Sequence, residues 1–88
     1  MKEVLMMILP DCPSCILADR YLAELKEEDR AYGRVPILRV DESVHREFAE
    51  SLDYYYVPAF FVGEKKLLEG VPTRQMIRAV LDAAMEEA

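Results

Sequence analysis

The sequence predicts an α/β fold, one mixed four-stranded sheet with helices on both faces, and three features carry that prediction. Apolar runs of strand length alternate with amphipathic helical stretches in the order β-α-β-α-β-β-α. The run Pro58-Ala59-Phe60-Phe61-Val62 is apolar without alternation, as in a strand covered on both faces. Gly63-Glu64 then separates two strand-like runs by two residues, with Gly at the first central position, which a type II′ hairpin turn requires.

Taken in order, the first strand spans about residues 3–9, centred on Val4-Leu5-Met6-Met7-Ile8-Leu9. A helix starts at Pro13, with Ala18, Tyr21, Leu22 and Leu25 on one face and Asp19, Glu24, Lys26, Glu27 and Glu28 on the other, and ends at Tyr32-Gly33. Val35-Pro36-Ile37-Leu38-Arg39-Val40 reads as a second strand, and its proline places it at a sheet edge, where no ladder donor is needed. Asp41 or Ser43 is expected to cap a second helix whose Val44, Phe48, Ala49 and Leu52 fall at helical spacing. After the hairpin, Lys65 to Glu69 pairs back antiparallel. Thr73 caps a last helix with Met76, Ile77, Val80, Leu81 and Ala84 as its apolar stripe. A right-handed first crossover followed by a helix and a hairpin assembles these pieces into one sheet.

The chemistry-bearing feature is Cys12-Pro13-Ser14-Cys15, where the first strand gives way to the first helix. These two cysteines are the only ones in the chain, and two thiols at this spacing on a first helical turn can close a small disulfide ring with little backbone movement. Pro13 fits the first helical position, since its φ is already helical and its missing N–H would have no partner there. Cys12 is then the N-cap. The unpartnered N–H groups of a helix start favour a thiolate, so Cys12 is the expected nucleophile and the more shielded Cys15 the resolving thiol. The Asp11 carboxylate opposes a second negative charge beside it. The carboxyl end of a strand is also where open α/β sheets place their sites.

Size and composition bound the rest. Eighty-eight residues make one domain, residues 1–88, with a core able to fold without disulfide or metal staples. With 17 acidic against 11 basic side chains the net charge is −6, and no basic stretch remains to track a phosphate backbone, which argues against nucleic-acid binding. The apolar start is too short for a membrane span and lacks a small-residue cleavage site, so a cytoplasmic protein with no membrane partner is expected. In a reducing compartment a lone cysteine pair points to redox or metal chemistry more than to a structural bridge. Two Cys and one His cannot complete a tetrahedral zinc shell in a monomer, although a dimer could share one through both pairs.

Over nearly its whole length the chain resembles the thioredoxin-like superfamily. Cys12-Pro13-Ser14-Cys15 after the first strand is worded as in glutaredoxins, Val57-Pro58 stands at the family's cis-proline position, and Gly70-Val71-Pro72-Thr73-Arg74 is similar to the segment before the last helix in small archaeal and bacterial redoxins. The resemblance implies a thioredoxin-like fold and a monomeric thiol-disulfide oxidoreductase that reduces protein disulfides. Its only redox group would be a Cys12-Cys15 disulfide, reopened by a thioredoxin-reductase-type or glutathione electron donor. It also implies that a cis Val57-Pro58 turn faces the cysteines and offers the Val57 N–H and C=O to an extended substrate segment. Asp11, Pro13 and Ser14 would shape the site.

The departures from the family are specific. Asp11 stands where thioredoxins usually carry Trp, and Met6 where they bury a proton-handling carboxylate. Glutathione-binding glutaredoxins usually show a Lys before the first Cys, Thr before the cis-proline and a Gly-Gly-x-Asp turn. This chain has Leu9, Val57 and Gly70-Val71-Pro72-Thr73 in those neighbourhoods, leaving Thr73 and its helix start as the remaining anion holder. Two other readings are a glutathione-dependent glutaredoxin and a non-catalytic metal- or partner-binding module. His45, Glu24, Glu27, Glu28 and Glu86-Glu87 read as solvated side chains, and Met6 and Met7 as core filling. Of Tyr54-Tyr55-Tyr56, one ring borders the site and at least one other is core.

Overall fold

The computed structural model describes residues 1–86, and the β-α-β-α-β-β-α order expected from the sequence is present. Strand β1 (Val4–Ile8) leads into helix α1 (Pro13–Glu28), and β2 (Ile37–Asp41) follows. Helix α2 (Arg46–Glu50) precedes β3 (Ala59–Val62), β4 (Lys65–Glu69) and α3 (Arg74–Met85). The sheet order is β2-β1-β3-β4, with β2 parallel to β1 and the other neighbours antiparallel. β2 is thus an edge strand, and Pro36 sits just before its first ladder residue, where it removes no pairing donor.

Because side chains alternate across a strand, β1 and β3 each feed two cores. Val4, Met6, Phe60 and Val62 point to one face, packed against Ala18, Leu22 and Leu25 of α1 and Ile77, Val80, Leu81 and Ala84 of α3. Met7, Ala59 and Phe61 point to the other, under Leu5, Val40, Ala49, Leu52, Tyr54 and Val57. Met6 and Met7 are both fully buried, one in each core. Gly63 takes φ 63° and Glu64 keeps a negative φ, the combination a type II′ turn needs. A bulge follows: Phe60 faces Leu68 and Phe61 faces Lys66, which leaves Leu67 without an opposite residue.

Two helix boundaries differ from expectation, and aspartate chemistry accounts for both. Asp41 does not cap α2. Its carboxylate accepts from the Ser43 N–H at 2.8 Å and the Ser43 hydroxyl at 2.6 Å, closing a turn at the end of β2 and delaying the helix. Ser43 is spent in that turn, and His45 takes the N-cap position without a side-chain bond. α2 is therefore only five residues long, Val44 and Phe48 are exposed, and a 680 Å³ cleft lined by Leu5, Phe48, Leu52 and Phe61 opens beside it. Likewise α1 stops at Glu28 rather than at Tyr32-Gly33, because the Asp29 carboxylate accepts from the Ala31 N–H at 2.9 Å and starts a 3-10 segment over Arg30–Arg34. That segment buries Tyr32, whose hydroxyl donates to Asp82 of α3 at 2.7 Å.

Other side chains also depart from their sequence-based assignment. Met76 lies outside the α3 stripe and is exposed, since α3 buries only the Ile77, Val80, Leu81 and Ala84 face. Glu24 and Glu28 are not simply solvated: Glu24 pairs with Arg20 and Arg74, and Glu28 with Arg74 and Arg78, stitching α1 to α3. Glu27, Glu86 and His45 are exposed as expected, and Glu87 lies outside the described residues.

Candidate active site

The end of β1 delivers the cysteine pair through the tight link Leu9-Pro10-Asp11. Asp11 takes φ 60°, the left-handed region that Asp tolerates better than most side chains, and this turn aims the chain into α1. Cys12 is the N-cap and Pro13 the first helical residue, both as expected. The Cys15 backbone N–H donates to the Cys12 sulfur at 3.3 Å, so one otherwise unpartnered donor of the helix start points at this sulfur. That bond becomes charge-assisted once the sulfur is a thiolate.

The two thiols occupy different environments. Cys12 is half-buried and reachable, whereas Cys15 is 4% exposed. Burial pushes the Cys15 thiol up to about 12, with the neighbouring Cys12 sulfur and the Asp19 carboxylate adding to the rise. A backbone hydrogen bond from Leu9 acts in the opposite direction. Asp19, one helical turn beyond Cys15, is held by Arg39 of β2. Ser14 sits between the thiols on the first turn, half-buried.

Forty-five residues further along, Val57 comes into contact with the pair: the Cys12 thiol donates to its carbonyl at 3.9 Å. The Val57-Pro58 peptide bond is cis, Pro58 is buried, and its carbonyl accepts from the Gly70 N–H at 3.0 Å. Among the described residues the Val57 N–H has no hydrogen-bond partner. Tyr54 is the core ring of its triplet, edge-on to Phe61 and donating to Glu42 at 2.7 Å; burial first, and then this contact, raise its phenol above the ordinary range. Tyr55 and Tyr56 are exposed instead.

These features place the strand-to-helix Cys pair against a cis-proline turn on a β2-β1-β3-β4 sheet. The fold is thioredoxin-like. A solved structure described as that of a malarial protein superposes on 93% of this chain and 94% of its own with a TM-score of 0.68, at 17% identity. That likeness speaks to the fold and carries no activity. No protein-family model and no curated protein matches the chain. The thioredoxin-like fold and the close Cys12–Cys15 pair are together consistent with a redox module. Among the described residues no group of three or more His, Cys, Asp or Glu side chains is placed to hold a metal ion, and no helix is long and apolar enough to cross a membrane.

One contributor near the site carries no sequence signal. Glu69 ends β4, and its carboxylate accepts from the backbone N–H groups of both Tyr55 and Tyr56, the latter at 2.8 Å. Lys66 donates to its other oxygen at 2.7 Å. These three donors, Lys66 foremost, hold the Glu69 carboxyl down at about 2. Nothing in the run Lys-Lys-Leu-Leu-Glu announces a bond to a loop more than ten residues upstream. Thr73, by contrast, caps α3 as its sequence position indicates, accepting from the Met76 N–H at 3.1 Å.

Proposed function

We propose that this chain is a thiol-disulfide oxidoreductase that reduces protein disulfides through a Cys12/Cys15 dithiol-disulfide cycle. The observation that carries the reading is the asymmetry of the pair: a reachable sulfur at a helix N-cap, backed by a buried thiol held protonated. The Cys12 thiolate attacks one sulfur of the substrate disulfide, whose bonding pair leaves with the other sulfur as a thiolate, and a mixed disulfide forms. Cys15 then loses its proton to solvent or to the departing thiolate and attacks the Cys12 sulfur. This releases the second substrate thiolate and closes the Cys12-Cys15 disulfide.

The same contacts explain why the second step follows the first. While Cys12 carries charge, it helps keep Cys15 protonated. A mixed disulfide abolishes that charge and removes two of the causes that raise Cys15, leaving burial as the main one. Met6 is fully buried among apolar side chains, so the proton leaves by a route other than a carboxylate at that position. Val57 and Pro58 hold the substrate, with the free Val57 N–H and its carbonyl as the pairing edge of an added strand. Pro13 and Ser14 shape the first helical turn, and the exposed Asp11 carboxylate biases the entrance toward cationic or neutral partners. In the cytoplasm, a thioredoxin-reductase-type flavoprotein or glutathione reopens the bridge and keeps the flow reductive.

The test is reduction of a generic protein disulfide by the purified protein, with flavin-dependent thioredoxin reductase compared against glutathione as donor. Cys12→Ser abolishes turnover, and Cys15→Ser accumulates substrate covalently bound at Cys12, visible as an adduct in intact-mass spectrometry. Undiminished turnover by Cys12→Ser refutes the assigned nucleophile, and stoichiometric metal masking both thiols favours a metal-holding module instead.

A further inference from the structure

Resting on the oxidoreductase reading, we propose that Glu69 is a positioning residue: it fixes the 55–58 arc into the edge on which an extended peptide disulfide docks, so peptide substrates depend on it and small disulfides do not. The 55–56 stretch belongs to no strand or helix, and the exposed Tyr55 and Tyr56 rings supply little packing to hold it, at 83% and 69% exposure. Its backbone is held instead from the neighbouring strand. The N–H groups of Tyr55 and Tyr56 converge on one Glu69 oxygen, and Lys66 on the other oxygen keeps the carboxylate turned toward them. The Glu69 side chain is only 19% exposed, so the clamp reaches the exposed 55–56 stretch from a partly covered carboxylate at the end of β4.

The clamp acts immediately upstream of the contact that matters. Tyr56 precedes Val57, whose carbonyl faces the Cys12 sulfur, and the next residue after Glu69 donates its N–H to Pro58. The docking edge is therefore gripped on both sides from the end of β4. With the amides of Tyr55 and Tyr56 engaged by Glu69, the Val57 N–H is the first backbone donor of the arc left for a partner. A small misplacement of that edge displaces a bound peptide relative to Cys12, whereas a disulfide too small to pair with it needs only an accessible sulfur.

The experiment compares rate constants for reaction of the reduced protein with a disulfide-bearing peptide and with hydroxyethyl disulfide. Glu69→Ala lowers the peptide rate by roughly ten- to hundredfold more than the small-disulfide rate. Glu69→Gln, whose amide oxygen still accepts, recovers much of the loss. Slow hydrogen exchange at the Tyr55 and Tyr56 amides, faster in Glu69→Ala, supplies a readout independent of turnover and of that variant's yield, since unprotected amides in the wild type overturn the proposal. Equal losses toward both disulfides, or none toward the peptide, overturn it while leaving the oxidoreductase reading intact. A wild-type protein inert to both disulfides sinks that reading and the proposal with it.

Discussion

Cys12 and Cys15 stand three residues apart on one helical turn, yet the chain shields only the second, and that difference is measurable. The folded protein holds the Cys15 proton up to about 12, against an ordinary 9.0. Below the ordinary value both folded and unfolded chains carry the proton, and the stabilisation is fully present. Above it the unfolded chain alone releases the proton, so stability falls as pH rises toward the folded value, by at most about 1.4 kcal/mol per pH unit. Cys15→Ala is expected to flatten this alkaline decline in urea denaturation. The Tyr32 and Tyr54 phenols, raised chiefly by the Asp82 bond and by burial respectively, titrate in the same direction in both proteins and cancel in the comparison. At this scale the N-cap cysteine, the more shielded second thiol and the first-turn proline were legible, because cap geometry is a local property of a few consecutive residues. The Glu69 grip on the Tyr55 and Tyr56 amides was not, because those partners reach it only through the pairing of β3 with β4.

Among the elements, α1 and α3 show how well a periodic pattern specifies a helix when the sheet covers one whole face. Thr73 starts α3 by accepting from the Met76 N–H, and Thr73→Ala is expected to lower stability by about 1 kcal/mol while Thr73→Ser is nearly neutral, as measured by chemical denaturation. α2 marks the contrary case. Its apolar residues recur at helical spacing, but Asp41 closes a turn on Ser43 before a helix can begin, and the remaining five residues bury no side chain completely. Spacing alone could not rank these outcomes, since the same Asp serves as cap or turn with similar local energy. In the folded chain Ala49 and Leu52 pack onto the smaller core while Val44 and Phe48 stay in water.

Across the whole molecule, the larger core lies between the sheet and the α1/α3 pair, and the smaller core lies under α2 and the loops that follow it. This unequal division predicts unequal sensitivity to truncation. Phe60 is fully buried in the larger core, and Phe60→Ala is expected to lower stability by about 3–5 kcal/mol, a large share of a typical domain's total. Phe48 is 44% exposed beside the cleft, and Phe48→Ser is expected to change stability by less than about 1 kcal/mol, with thermal and urea unfolding of the two variants as the check.

The order of the elements along the chain, the capped Cys pair and the residues of the hairpin all follow from patterns written within short windows of sequence. Helical period, capping and turn chemistry act between near neighbours, and the chain carries them clearly except at the start of α2. Tertiary structure alone decided which tyrosine entered the core, which glutamates bridged α1 to α3, and that Glu69 would grip the loop facing Cys12. Those outcomes depend on where distant segments meet, and a hydrogen bond or an ion pair forms only once folding has brought its two ends within reach.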